Sequence, residues 1–340
     1  MTYNGLNIRQ LKEQEELKNL SEYATPSVKS RGRSREEPPD EIRTCFRVDC
    51  DRIRFSRSFH FTRDKTQVFI NREGCDHYET RMTHILYAAN IAREIAECLK
   101  LNQALAEAIL FGHDCGHTPY GHAGEEALDA LFPGGFSHTE HAIRTLEHLE
   151  KRNGKRGLNL TYEVKDGILN HSYFDNKAHA ITKEGSIAPF ADKFAYLVCD
   201  FRNAIKAGMI KVDSRGIPVI PEKFIKKLGD TPGHMLDTMV KDVVYNSMDT
   251  PFVQMSDEMF EVVSDFRNFM FENIYFSKVC RNEAKKAIDA ISKMYEHLVK
   301  NPHLVPEDYD DPDIERNVTD YIASMTDGYF RNLYKEYFII

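Results

Sequence analysis

No stretch of this 340-residue chain approaches the roughly 18 consecutive apolar residues that a membrane helix requires, so a spanning helix is not expected. The N-terminal MTYNGLNIRQLKEQEELKNL lacks the apolar core of a secretory signal. Nor is there a CxxC pair. The seven cysteines, Cys45, Cys50, Cys75, Cys98, Cys115, Cys199 and Cys280, are scattered and odd in number, which fits reduced thiols rather than a disulfide framework. These absences together point to a cytoplasmic protein. Basic residues are also outnumbered. With 45 Lys and Arg against 53 Asp and Glu the net charge is -8, which disfavours a general nucleic-acid coat. Two local basic runs, residues 29–35 (KSRGRSR) and 151–156 (KRNGKR), read as solvated surface charge. Internal repeats and low-complexity tracts are missing as well.

What the chain does have is helical periodicity. Hydrophobic residues make up 41% and charged residues 29%, the balance of a folded globular protein rather than a disordered one. Ile85, Ala89, Ala92, Ala96 and Leu99 recur at steps of three and four, the apolar stripe of an amphipathic helix. Leu105, Ile109 and Leu110 continue in a second helix ending near Gly112. Five glycines and prolines then crowd residues 112–124, which should be a tight, mostly non-helical passage. Further helices are expected at 123–131, 138–150, 162–171, from Ile187 to Ile205, and at 232–247, 256–275, 278–300 and 313–337. Short strands are plausible only at 66–70 (TQVFI) and 217–220 (IPVI). The expected fold is all-α: an N-terminal helix and extended arm over 1–50, a core over 51–210, and a C-terminal helical region over 211–340 packed on that core.

The densest chemistry lies in 113–126, HDCGHTPYGHAGEE, with three histidines, an aspartate and two glutamates among glycines. Packing alone gives no reason for so many titratable groups in one turn. His84 lies beside Ile85 and Leu86, so its ring should point inward. Asp200 lies between Leu197-Val198 and Phe201, where an unpartnered carboxylate would cost several kcal/mol. His84, His113, Asp114 and Asp200 would make a mixed nitrogen and oxygen site for one divalent ion, Mn²⁺, Fe²⁺, Zn²⁺ or, less readily, Mg²⁺. His122 and Glu125, three apart at a helix start, can share one face. A carboxylate there orients an imidazole for general acid/base work.

The pattern H…HD…D resembles the HD phosphohydrolase superfamily. The loop HDxGHTPxGHAGE with GGFSHTE at 134–140 resembles, more narrowly, the dGTPase-like deoxynucleoside triphosphate triphosphohydrolases. Further matching stretches, among them 31–36 (RGRSRE), 79–84 (ETRMTH), 158–172 and 191–208, run in family order through most of residues 30–210. The resemblance implies hydrolysis of a dNTP to deoxynucleoside and inorganic triphosphate. It implies that His122 and Glu125 assist the attack of water or protonate the leaving sugar oxygen. It places His117, His138 and Arg81 on the phosphates and Gln67 on the deoxyribose 3′-hydroxyl. A regulatory nucleotide and a homo-oligomer belong to the same expectation. The alternatives are hydrolysis of another nucleotide phosphate ester, or a nucleotide-binding regulator without turnover. Where relatives carry ADEIAYxxHD and an acidic pair, this chain has Lys193, Cys199, Arg202 and Asn203, which leaves substrate choice open.

Overall fold

The computed structural model describes residues 5–67 and 79–339. Thr66 makes an isolated bridge with Thr80, while residues 68–70 of the strand expected there, and Cys75, lie outside the described residues.

Most of the described chain is helical. Asn7 opens α1 (Ile8–Asn19) with a capping box, exchanging hydrogen bonds with Gln10. An arm follows, and then α2 (Cys45–Arg54) and the short α3 (Arg57–Phe61). The central pair is α4 (Arg81–Cys98) and α5 (Gln103–Gly112). Small and branched residues, Ala88, Ala92, Ile95 and Ala96, line the buried side of α4 and let α5 approach closely. Asn102 caps α5, and from Leu105 onward almost every residue of that helix is buried. After the glycine-rich turn come α6 (His122–Leu131), α7 (His138–Arg144), α8 (Tyr162–Asn170) and α9 (Ala188–Lys206). The C-terminal part adds α10 (Glu222–Leu228), α11 (Pro232–Ser247), α12 (Asp257–Met270), α13 (Lys278–Lys300), α14 (Ile314–Ser324) and α15 (Asp327–Phe338).

Four expectations are modified. Both the 138–150 and the 256–275 helices end in one wide π turn, at Thr145–Leu149 and Phe271–Tyr275. The expected 313–337 helix breaks at Met325, whose extended backbone lets Thr326 cap a new helix. Residues 217–220 form only an isolated bridge between Val212 and Pro218. A two-residue hairpin appears instead within the basic run, where β1 (Lys151–Arg152) pairs with β2 (Lys155–Arg156) around Asn153 and Gly154, both at positive φ. Asn-Gly favours that turn.

Both basic runs are absorbed locally. Arg33 pairs with buried Asp49, Arg31 covers the Tyr162 ring, and Lys151 and Arg156 meet Asp308 and Asp310.

The buried apolar residues form two clusters. The larger joins α2, α4, α5, α8, α9, α11 and α12. The smaller joins α6, α13, α14 and α15 around Leu128, Met294, Ile322 and Phe330. The turn between α5 and α6 passes from one cluster to the other and carries the chemistry along the seam. Among the described residues no helix is long and apolar enough to cross a membrane.

Candidate metal and phosphate site

The α5–α6 turn is held so tightly that two of its glycines are obligatory. A Cβ on Gly116 would stand 2.2 Å from both the Ala142 amide nitrogen and the His138 carbonyl oxygen, so α7 packs directly on its backbone. Gly121 has φ +59°, and a Cβ there would meet the Arg81 guanidinium at 2.9 Å. The turn is also braced from the C-terminal helices. Asp327, buried at the start of α15, accepts from the Tyr120 amide (3.0 Å), the Thr66 amide (3.0 Å) and the Thr66 hydroxyl (2.5 Å). Lys65 is buried beside it and donates to the carbonyls of His117 (2.5 Å) and Ala323 (2.8 Å). Burial pulls the Lys65 ammonium down to about 7, partly resisted by Asp327.

Inside this frame His84 of α4 and His113 of α5 converge, ring centroids 5.4 Å apart. His113 donates its Nδ1 proton to the Leu110 carbonyl at 2.6 Å, which leaves Nε2 as the lone-pair nitrogen facing inward. Neither Nε2 of His113 nor either ring nitrogen of His84 has a hydrogen-bond partner, although both rings are wholly buried. Carboxylates surround them. Asp114 oxygens lie 3.4 Å from His113 Nε2 and 3.7 Å from His84 Nε2, and Asp192 Oδ1 lies 3.0 Å from His84 Nε2 and 3.7 Å from His113 Nε2. Against the penalty of burial, His113 and Arg81 hold Asp114 well below the usual carboxylate range. Lys193 and the two histidines do the same for Asp192. Burial lowers His113, but Asp114 and Asp192 outweigh it and raise it. Two buried carboxylates thus call for positive charge between orphaned imidazole nitrogens. A divalent ion fits that donor set.

Three of the four expected ligands are brought together. Asp200 is not; Asp192, two turns earlier on α9, stands in its place against His84 and His113. Asp200 lies deeper along the same helix, where its Oδ2 accepts from Tyr275 Oη at 2.7 Å. Burial raises its carboxyl to about 7 despite that bond. The π turn at Phe271–Tyr275 is what swings Tyr275 into reach.

The acid/base candidates sit on the other wall. His122, largely exposed, donates Nδ1–H to Glu125 Oε2 at 2.9 Å. Glu125 Oε1 accepts from His138 twice, from Nδ1 and from the amide, each at 2.8 Å. One carboxylate therefore orients two imidazoles, and they hold it well below the usual range against its burial. His117 stacks on His138 with centroids 4.0 Å apart and reaches Asp114 at 3.2 Å. Burial, then Arg81 and His138, depress His117 and keep it neutral. Arg81 itself donates to Asp114 at 2.7 Å and toward the Thr66 and Gln67 carbonyls.

A cavity of 840 Å³ takes in Gln67, Arg81, Asp114, His117, His122 and His138, so the expected substrate residues share one chamber. Sequence reading missed several of its walls. Tyr196 and Asp192 come from α9, Arg267 from α12, Phe271 and Tyr275 from the π turn, and His171 from the end of α8. Only ADKFAY, within a stretch already matched, could have signalled Asp192. Of the departures, Lys193 lines the cavity and Asn203 is buried. Arg202 pairs with Glu79 and also approaches Cys199 Sγ at 3.8 Å, so these two read as local structure.

The HD domain profile matches residues 81–197, and that of the Phosphohydrolase-associated domain matches 253–336. A Deoxyguanosinetriphosphate triphosphohydrolase-like protein of Caldanaerobacter subterraneus subsp. tengcongensis is 45% identical over 98% of this chain and 96% of its own. Proteins of the same description from Clostridium perfringens and Desulfatibacillum aliphaticivorans are 43% and 40% identical, with 98% of both chains covered in each case. The chain belongs to the deoxyguanosinetriphosphate triphosphohydrolase-like family of HD-domain phosphohydrolases.

Proposed function

We propose that this protein hydrolyses deoxynucleoside triphosphates to deoxynucleoside and inorganic triphosphate. The observation that carries the reading is the His122–Glu125–His138 relay facing the His84, His113, Asp114 and Asp192 cluster across one cavity that also holds Arg81, Lys193 and Arg267. The relatives' description, with near-complete coverage of both chains, supports the same substrate class.

His84, His113, Asp114 and Asp192 would hold one divalent ion. When bound, it would supply Lewis-acid neutralisation of phosphate charge. The protein's own groups do the rest. Arg81 and Lys193 are anchored by Asp114 and Asp192, so their charge is positioned before a triphosphate enters. His117 and His138 offer ring edges to phosphate oxygens, and Gln67, whose side-chain oxygen has no partner, offers a polar contact to the sugar. Glu125 fixes His122 with Nδ1 protonated, so Nε2 is the atom that exchanges a proton with substrate. As water's oxygen bonds to the α-phosphorus, the bond from phosphorus to the 5′-oxygen breaks. The 5′-oxygen takes the Nε2 proton of His122 in its doubly protonated form; one of the water's two protons then restores His122, and the other stays with the triphosphate.

Incubating purified protein and Mn²⁺ with each of the four dNTPs and the ribonucleotides, singly and mixed, tests this. Triphosphate and deoxynucleoside are the expected products. Orthophosphate alone would move the assignment to another phosphate ester, and nucleotide binding without turnover would overturn it.

A further inference from the structure

The cavity is built differently at its floor and at its rim. Arg81 and His117 are almost wholly buried, and Lys193 is held inside against Asp192. Val279 and Phe276 line the same cavity yet are 64% and 51% exposed. His122, the proton donor to the leaving 5′-oxygen, is itself largely exposed and so stands between floor and rim. A triphosphate seated against the buried cations, with its breaking bond at His122, therefore leaves the sugar and the base pointing outward. Whatever holds the base must come from the rim.

Phe276 caps the π turn that ends α12, just before α13 begins. Its ring is braced by its neighbours. The Phe271 ring meets it with centroids 5.6 Å apart at 58°, and the Arg281 guanidinium lies 5.0 Å from its centroid. Phe271 is covered in turn by Arg267 at 4.8 Å, so two arginines and two rings alternate from the cavity to the surface. A ring held this firmly, yet half in water, offers a flat apolar surface to the cavity it borders. We propose that Phe276 is the stacking platform for the substrate's nucleobase, with Arg281 backing the ring from outside. The proposal rests on the dNTP reading above and deepens it. Every base has a π face, so a platform of this kind accepts all four. The base is held by its face at an open rim, not by its edges in a closed pocket. Glu283 shares that rim, but its carboxylate already accepts from Lys286 at 3.0 Å.

Binding to the full chain tests the platform apart from the chemistry. In a His122→Ala background with Mn²⁺, calorimetry measures the affinity of dATP, dGTP, dCTP, dTTP and inorganic triphosphate. Adding Phe276→Ala should weaken all four dNTPs by about 5–20-fold, the lower part of the range for base stacking because the rim stays wet, and leave inorganic triphosphate unchanged. Phe276→Leu, which keeps apolar bulk without a π face, should lose nearly as much, and Phe276→Tyr should restore binding. With His122 intact, Phe276→Ala should raise KM by the same factor at unchanged kcat, a split that a distorted cavity would not give. Unchanged dNTP affinity in Phe276→Ala, triphosphate weakened in step with the dNTPs, or one base favoured more than about 100-fold in the parent would overturn the platform and leave the dNTP reading standing. Binding of inorganic triphosphate with no binding of any dNTP would overturn both.

Discussion

Asp327 belongs to the C-terminal helices, yet its carboxylate grips both strands of chain that border the cavity. Replacing it with alanine removes the acceptor of two backbone amides, Thr66 and Tyr120, and of the Thr66 hydroxyl. A buried donor left without a partner costs about 1–3 kcal/mol. The two amides alone then cost about 2–6 kcal/mol, a large share of the roughly 5–15 kcal/mol that holds a domain together. Lys65 also loses its neighbouring carboxylate, but with its ammonium at about 7 it can shed its proton, which limits the added cost. Asp327→Asn is the more informative change. Its amide oxygen can keep the Thr66 pair, while its NH₂ must face the Tyr120 N–H, so a single amide is orphaned at about 1–3 kcal/mol. Tyr120 and Gly121 lead directly into His122, so the acid/base wall loosens and the His84 cluster is untouched. Urea unfolding at pH 8 reads the stability. Metal content and a kcat and KM pair read the site, with kcat expected to fall about 10–100-fold at unchanged metal. Wild-type kcat in Asp327→Asn, or loss of metal in step with activity, would refute the bracing argument.

Asp192→Ala should lose bound Mn²⁺ by elemental analysis while Asp200→Asn retains it; the opposite pattern would restore Asp200 as the ligand. Asp200 should also set a pH dependence. Its carboxyl is raised from 3.8 to about 7, so the stabilisation is complete below about pH 4 and is lost as pH rises through about 7. Asp200→Asn should therefore match wild type near pH 4 and gain on it progressively up to about pH 7, as thermal melts across that range would show. Gly116→Ala should unfold the protein or lower its melting temperature by more than 10 °C or so, since its Cβ meets backbone on α7 rather than a yielding side chain. An unchanged melt would mean that α7 moves freely. His122→Ala should keep metal and lose turnover, and wild-type rates in that variant would remove it from the chemistry.

Much of this architecture is legible in the sequence because helices announce themselves locally. The stripe on α4 and the glycine-rich passage before His122 needed no tertiary information, and the density of histidines marked the turn as chemical. The choice between Asp192 and Asp200 did need it. The two lie eight residues apart on one helix, so at about 100° per residue they project only about 80° apart. Both sit among apolar neighbours, and periodicity cannot say which faces His84. His171 was invisible for a different reason. A histidine closing an amphipathic helix is unremarkable until another ring is seen 3.4 Å away. Tyr275 depends on a π turn, and a one-residue widening within an otherwise helical pattern leaves no trace in hydrophobic spacing. The hairpin at 151–156 was missed although Asn-Gly was in view, because its charges drew the reading toward surface.

The seam between the two apolar clusters has a consequence for how this protein opens. Local unfolding proceeds in contiguous cooperative units, each at a lower free energy than unfolding the whole. Here the smaller unit, α6 with α13, α14 and α15, carries His122 and Glu125, while the larger carries the His84 and His113 cluster. Local unfolding of the smaller unit would dismantle the His122–Glu125 wall while the larger unit keeps the cation wall folded. Amide exchange at α14 and α15 therefore reports directly on how often the active arrangement is assembled, and any ligand that touches both walls slows that exchange.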